Sequence, residues 1–160
     1  MEMVEFQTPQ EPTALLTACR NGHLAAVNRL LAAGAEIETR DTNGWTPLIV
    51  AAATGYANVV EALVAAGANI STASTNENAT PLLVACLGGH LAAVERLLAA
   101  GANVHTSESH GATPLFMACQ NGHLAMVERL LAAGANINKS AYEGYTPLLM
   151  ACQNGHLAVV

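Results

Sequence analysis

Apolar and polar positions follow one another along this chain in a fixed order, written most fully in residues 113–138 as TPLFMACQNGHLAMVERLLAAGANIN. A threonine precedes a short apolar run, and a polar Gln-Asn-Gly-His break ends it. Apolar residues return at Leu124, Val127, Leu130 and Leu131, a spacing that puts them on one helical stripe, with Glu128 and Arg129 off it. Gly134 then marks a stop before a polar, extended exit. The pattern predicts helix, turn, helix and loop.

The chain writes this pattern repeatedly. Thr-Pro-Leu begins at Thr46, Thr80, Thr113 and Thr146, and a Gly-His or Gly-Tyr pair begins at Gly22, Gly55, Gly89, Gly122 and Gly155. The period is 33 residues, with one 34-residue step between Gly55 and Gly89. The extra residue falls in loop 71–79, where insertions are tolerated. The first unit carries Thr13-Ala14-Leu15 after Pro12. Five units result, the first and last atypical.

Each unit has its own boundary signals. Thr46 suits a helix N-cap and Pro47 the first helical position, so a first helix is expected from Pro47 to Thr54, ending at Gly55. A second helix is expected over about 57–66, and Gly34, Gly67, Gly101 and Gly134 stop the second helices. Between units the text turns polar: EIETRDTNGW, ISTASTNENA, VHTSESHGA and INKSAYEGY. Asn43-Gly44 is a strong turn signal and Glu143-Gly144 a weaker one, so these segments read as hairpin-like fingers. One such helix pair cannot bury its apolar face alone, whereas five stacked pairs share a continuous core. The predicted class is all-α, a solenoid of stacked helix-turn-helix units joined by hairpin-like loops.

The period, Thr-Pro-Leu, Gly-His, the Leu-Leu-Ala-Ala-Gly-Ala ending and the turn before Thr-Pro-Leu together resemble the ankyrin-repeat family over residues 12–160. Five in-phase units make the likeness specific. It implies an N-terminal extension 1–11 and a single ankyrin-repeat domain 12–160, with repeats at about 12–40, 41–73, 74–107, 108–140 and 141–160, the last incomplete. Two departures stand out. Where the family usually reads Thr-Pro-Leu-His, this chain has Leu16, Ile49, Leu83, Phe116 and Leu149 at the His position, so apolar packing should replace the family's Thr–His hydrogen bond. In the last unit, Leu157-Ala158-Val159-Val160 matches the start of a second helix of about half length without a polar cap.

Composition, charge and cysteine placement adjust this picture. Hydrophobic residues are 52% and aromatic ones 4%, and Ala and Leu dominate, which favours closely packed helices. No apolar run approaches the roughly 20 residues a membrane span needs, and the N-terminus MEMVEFQTPQEP shows no signal-peptide pattern. The net charge of −6 argues against a nucleic-acid or anionic-membrane surface. Cys19, Cys86, Cys119 and Cys152 occupy one place in the repeat. Stacked helices lie about 8–10 Å apart, but a disulfide needs Cα atoms within about 7 Å. These thiols are therefore expected to be small buried apolar residues in a reducing compartment, which fits an intracellular, cytoplasmic location, or a host cytoplasm for a delivered effector.

The chain contains no GxGxxG, Walker loop, HExxH, GxSxG or CxxC. His23, His90, His123 and His156 recur with the repeat, as turn residues that hydrogen-bond neighbouring backbone rather than ligands converging on a metal. The Cys119–His123 proximity is repeated in other units and lacks a third orienting group, so it reads as packing. No catalytic residue, cofactor or metal is expected. Asn69, Asn78 and Asn138 begin sequons in Asn- and Ser-rich loops, and free cysteines favour chance there; Asn138 also resembles the family's asparaginyl-hydroxylase target, and no modification is expected. Glu61, Glu95 and Glu128, with Arg96 and Arg129, form a solvated outer face.

A shared framework needs repetition, whereas recognition needs side chains that differ from unit to unit. Finger tips and first-helix ends differ, and the family resemblance implies that tips and the concave face bind protein partners. Expected partner-binding residues are Arg40, Asp41, Asn43, Trp45, Glu77, His110, Tyr142 and Tyr145 at the tips, with Arg20, Leu87, Gln120 and Gln153 on first helices. Trp45 has an alternative role, packing across its finger onto the next unit, and Tyr145 shares it. The expected function is a non-enzymatic protein-interaction scaffold for a protein or peptide, without nucleic-acid or membrane partners. Alternatives are self-association through an apolar C-terminal end formed by Leu148, Leu157, Val159 and Val160, or a piece of a longer array or effector whose activity lies elsewhere.

Overall fold

The computed structural model describes residues 13–160, so the expected extension 1–11 and Pro12 lie outside the described residues. Nine α-helices follow in chain order among the described residues: α1 (Ala14–Arg20), α2 (Leu24–Ala32), α3 (Pro47–Thr54), α4 (Ala57–Ala65), α5 (Pro81–Leu87), α6 (Leu91–Ala99), α7 (Pro114–Gln120), α8 (Leu124–Ala132) and α9 (Pro147–Gln153). No strand forms among them. The first helices α1, α3, α5, α7 and α9 stack in one layer and α2, α4, α6 and α8 in a second, each packing against its neighbours in the row. None of these helices is long and apolar enough to cross a membrane.

The sequence signals act where expected. The hydroxyls of Thr13, Thr46, Thr80, Thr113 and Thr146 accept from the backbone N–H of Leu16, Ile49, Leu83, Phe116 and Leu149 at 3.2–3.4 Å, capping all five first helices. Proline fills the first turn of α3, α5, α7 and α9. Each second helix closes with the paired bonds of a Schellman cap. In α8 the N–H of Gly134 reaches Leu131 and that of Ala135 reaches Leu130, at 2.9 and 3.0 Å, with Gly134 at φ 87.

Packing follows from the repeats. The Leu of Thr-Pro-Leu is buried at Leu48, Leu82 and Leu115, each worth about 1.5–3 kcal/mol when fully removed from water. Ala51, Ala85, Ala118 and Ala151 are buried and small enough for first helices to approach closely. At the missing-His position, Leu16, Ile49, Leu83 and Phe116 are buried, as expected. Leu149 is exposed, because α9 packs on α7 and on no other first helix among the described residues.

Three expectations are corrected. In α8 the buried stripe is Met126, Val127 and Leu130, while Leu124 and Leu131 are exposed. Their copies Leu24, Leu31, Leu91 and Leu98 are half-buried and pack against the core. Residues 157–159 form a turn, not a half-length helix. A segment of so few residues cannot offset the cost of helix nucleation. Cys19, Cys86 and Cys119 are buried free thiols, whereas Cys152 on α9 is exposed. Burial pushes Cys19 up to about 12 and Cys119 up to about 11, and raises Cys86 further still.

The fingers are hairpin-like turns rather than strands. Asp41, Glu108 and Ala141 donate to Trp45, Ala112 and Tyr145, each four residues on, and Ser74 donates to Ala79, five on. The inserted residue therefore lengthens the unit-three finger, where Asn78 takes the left-handed conformation at φ 54. Neighbouring fingers are laced together. Ser109 N–H donates to Glu77 O at 2.9 Å, Tyr142 N–H to His110 O at 2.8 Å, and Asn78 Nδ2 to Ser107 O at 3.0 Å.

Candidate partner-binding surface

Two expected tip residues hold the framework. Arg40 donates through Nη1 to Gly44 O at 2.7 Å and to Ala73 O at 3.0 Å, tying the unit-two finger to the next. Asp41 has a largely buried side chain whose Oδ1 accepts from the N–H of Asn43 and Trp45, both at 2.9 Å. Its Oδ2 takes Nη2 of exposed Arg20 at 3.2 Å, clamping α1 to the finger. Asn43 and Gln153 are exposed, Gln120 and Tyr145 half-buried. Gln120 O accepts Asn154 Nδ2 at 2.8 Å and His156 Nε2 at 2.9 Å. Tyr142 is 68% exposed at its tip.

The structure brings four expected residues together. Trp45, Glu77, Leu87 and His110 line one cleft of about 380 Å³ on unit three and its neighbours. Ala53, Leu83, Val84 and Met117 supply apolar lining, and Gly88, Ala79 and Glu108 complete it. Trp45 is half-buried and packs against the core as well as lining the cleft. Arg20, Arg40, Asp41, Asn43, Gln120, Tyr142, Tyr145 and Gln153 do not line it.

The cleft coincides with the places where unit three departs from its copies. Leu87, 52% exposed, stands where the other units have Arg20, Ala53, Gln120 and Gln153. Gly88 stands where they have Asn21, Thr54, Asn121 and Asn154. Asn121 and Asn154 donate Nδ2 to Leu87 O and Gln120 O of the preceding unit, at 3.2 and 2.8 Å. Gly88 has no side chain to make that bond; the His90 ring occupies the space instead, 2.6 Å from where a Cβ would stand, and its Nε2 reaches Ala53 O at 3.0 Å. The inserted residue lies in the finger that presents Glu77. Sequence reasoning missed Gly88 and Met117. The signal for Gly88 was its absence from the Asn/Thr series; Met117 carried none, since it reads as core.

The rim is acidic. Glu108 Oε2 lies 2.8 Å from His110 Nδ1, and its Oε1 accepts Ala112 N–H at 3.0 Å. Burial tends to raise the Glu108 carboxyl, but hydrogen bonds from His110, Ala112 and Ser109 outweigh it and hold the group below the usual carboxylate range. Glu77 is exposed and forms no ion pair among the described residues. The cleft lining contains no Lys or Arg.

Elsewhere the repeated ionisable groups behave as framework. His90 and His156 bond carbonyls of the preceding unit. The next unit's ring covers four of the five repeated glycines: Tyr56 at Gly22, His90 at Gly55, His123 at Gly89 and His156 at Gly122. Arg96–Glu61 at 3.5 Å and Arg129–Glu95 at 3.2 Å link successive second helices across the exposed face. Among the described residues no group of three His, Cys, Asp or Glu could hold a metal ion.

A family model described as ankyrin repeats (3 copies) matches residues 2–74 and 82–160. No curated protein matches the sequence. With the stacked helix pairs and the finger turns, that match identifies the chain as a member of the ankyrin-repeat family, whose repeats are generally protein–protein interaction modules and typically not enzymes.

Proposed function

We propose that this chain is a non-enzymatic interaction scaffold that binds a protein or peptide through its finger tips and concave face, centred on the Trp45–Leu87 cleft. One observation carries the reading: Leu87, Gly88 and the lengthened finger, the departures of unit three from its own copies, border one apolar cleft. A framework gains nothing from exposing a leucine where its copies are Arg20, Ala53, Gln120 and Gln153, and exposed apolar surface rimmed by polar groups usually marks contact. Tyr142, Asn43 and Gln153 would extend the surface along the tips and first helices. An intracellular, cytoplasmic setting fits the free thiols.

Leu87→Gln is the sharpest test, because Gln is what units four and five carry there. Affinity capture from native lysate, read by mass spectrometry, should retain a partner on the wild-type chain and lose it on Leu87→Gln and Trp45→Ala. Helicity and melting of Leu87→Gln should stay unchanged. Equal retention on all three chains would count against the cleft.

Exposed Leu148, Leu149, Leu157 and Val160 favour a second reading, self-association of two copies through this end. Light scattering that gives a strict monomer at high concentration would remove it.

A further inference from the structure

We infer that the occupant of the unit-three cleft is an extended peptide segment of a protein partner in which an apolar side chain of Leu, Ile or Met size lies within two residues of a Lys or Arg. The inference rests on the reading of the cleft as the binding surface and adds the chemistry of what fills it.

Three observations combine. The wall is apolar, with Trp45 on one side, Leu83 and Leu87 from α5, and Met117 from α7. Such a lining gains by removing an aliphatic side chain from water, and it offers no cation to a phosphate or carboxylate. The charges at the rim are acidic: Glu77 is exposed and enters no ion pair among the described residues, and Glu108 is held ionised by its hydrogen bonds. The charge balance of the whole chain, −6, points the same way and would steer a basic segment towards the rim.

The rim is also built before anything binds. Ser109 N–H fixes the unit-four finger to Glu77 O at 2.9 Å, and Arg40 fixes the unit-two finger to Ala73 O at 3.0 Å. The fingers carrying Trp45, Glu77 and His110 are therefore held in register, and little ordering cost falls on the host. An anionic segment would meet the exposed Glu77 carboxylate, with Glu108 beside it already bonded to His110, Ser109 and Ala112. A purely apolar segment would leave Glu77 without a partner.

The test is selection from a phage-displayed random dodecapeptide library on the immobilised 160-residue chain, with enriched sequences remade as fluorescein-labelled peptides for anisotropy. Enriched sequences should place Leu, Ile or Met within two residues of Lys or Arg. Leu87→Gln should weaken them at least ~10-fold and Glu77→Gln about 3-fold. Raising NaCl from about 0.05 to 0.5 M should weaken the wild-type chain more than Glu77→Gln. Peptides that depend on Leu87 but lack a basic residue would overturn the proposed chemistry and leave the cleft reading standing. Peptides that bind Leu87→Gln and Trp45→Ala as well as wild type would overturn both. Failure to enrich any cleft-dependent peptide would overturn a linear segment as the occupant, and the capture experiment would then decide the cleft.

Discussion

Units three and five spell nearly the same first helix, PLLVACL and PLLMACQ, under the same threonine cap. Their surroundings differ. Leu82 of α5 is 1% exposed, while its copy Leu148 in α9 is 44% exposed. Cys86 is buried and Cys152 exposed. The same residues form the same local structure in both places, so helix formation is a property of the unit. Burial is conferred by the neighbour: α5 is flanked by α3 and α7, and α9 packs on α7. Stability in such a stack is a sum of unit terms and interface terms, and the two units sample the two terms differently.

Thiol chemistry should show the largest contrast. Desolvation raises the Cys86 thiol far above its ordinary value, and the side chain has no exposed surface. Modification there requires local opening, whereas Cys152 requires none. Labelling with a water-soluble disulfide reagent, resolved by peptide mass mapping, should proceed on the order of 10³-fold faster at Cys152. Similar rates at both sites would break the comparison.

Truncation should separate the units next. Leu82→Ala should cost about 3 kcal/mol, the range for a fully buried leucine, and Leu148→Ala under about 1 kcal/mol. Urea unfolding midpoints measure both. Equal losses would mean that α9 is covered in solution, for instance by a second copy.

The fold was legible in the sequence because its signals are local and repeated. Threonine caps, Pro at the first turn, the Gly134 class of helix stops and the finger boundaries each depend on a few adjacent residues. The exposure of Leu124, Leu131 and Cys152 was not legible from the unit pattern, since each matches copies that are half-buried or buried. Only the absence of a further packed unit distinguishes them. The cleft was half legible. Trp45, Glu77, Leu87 and His110 stood out as departures or as tip residues. Their convergence depends on how three fingers and three helices stack. Arg40 and Asp41 stood out for the same reasons, yet their side chains are committed to Gly44, Ala73, Asn43 and the Trp45 backbone. Residue type at a variable position does not reveal whether the side chain is free.

The repeated glycines sharpen the comparison at smaller scale. Gly89 and Gly155 share one place in units three and five, at the same φ of 75. A Cβ on Gly89 would meet the His123 ring at 2.7 Å, whereas a Cβ on Gly155 would meet nothing within 4 Å. Both alanine variants should lose about 1 kcal/mol to the left-handed backbone, and Gly89→Ala should lose roughly 1 kcal/mol more because the ring must move. Thermal melting reads the difference. Equal shifts would mean that the ring yields freely and that only the backbone matters.

The smallest contrast lies in the fingers. Each of these two units puts one non-glycine residue in the left-handed region: Asn78 at φ 54 in unit three and Glu143 at φ 59 in unit five. Asparagine tolerates that conformation better than most residues, because its short side chain can bond locally, and glutamate lacks that advantage. Asn78 also uses its amide, through Nδ2 to Ser107 O at 3.0 Å. Unit five has the better turn partner in Gly144 at φ 80, and two consecutive positive φ angles suit a tight reversal. The strain at Glu143 is therefore relievable without rebuilding the finger. Glu143→Asn should stabilise the chain by about 0.5 kcal/mol, a rise in Tm of roughly 1–2 °C at this size. Asn78→Glu should move Tm in the opposite direction and further, because it adds the strain and removes the bond to Ser107. A lower Tm for Glu143→Asn would mean that the exposed glutamate contributes to the finger through its charge, and that backbone conformation is the lesser term at that tip.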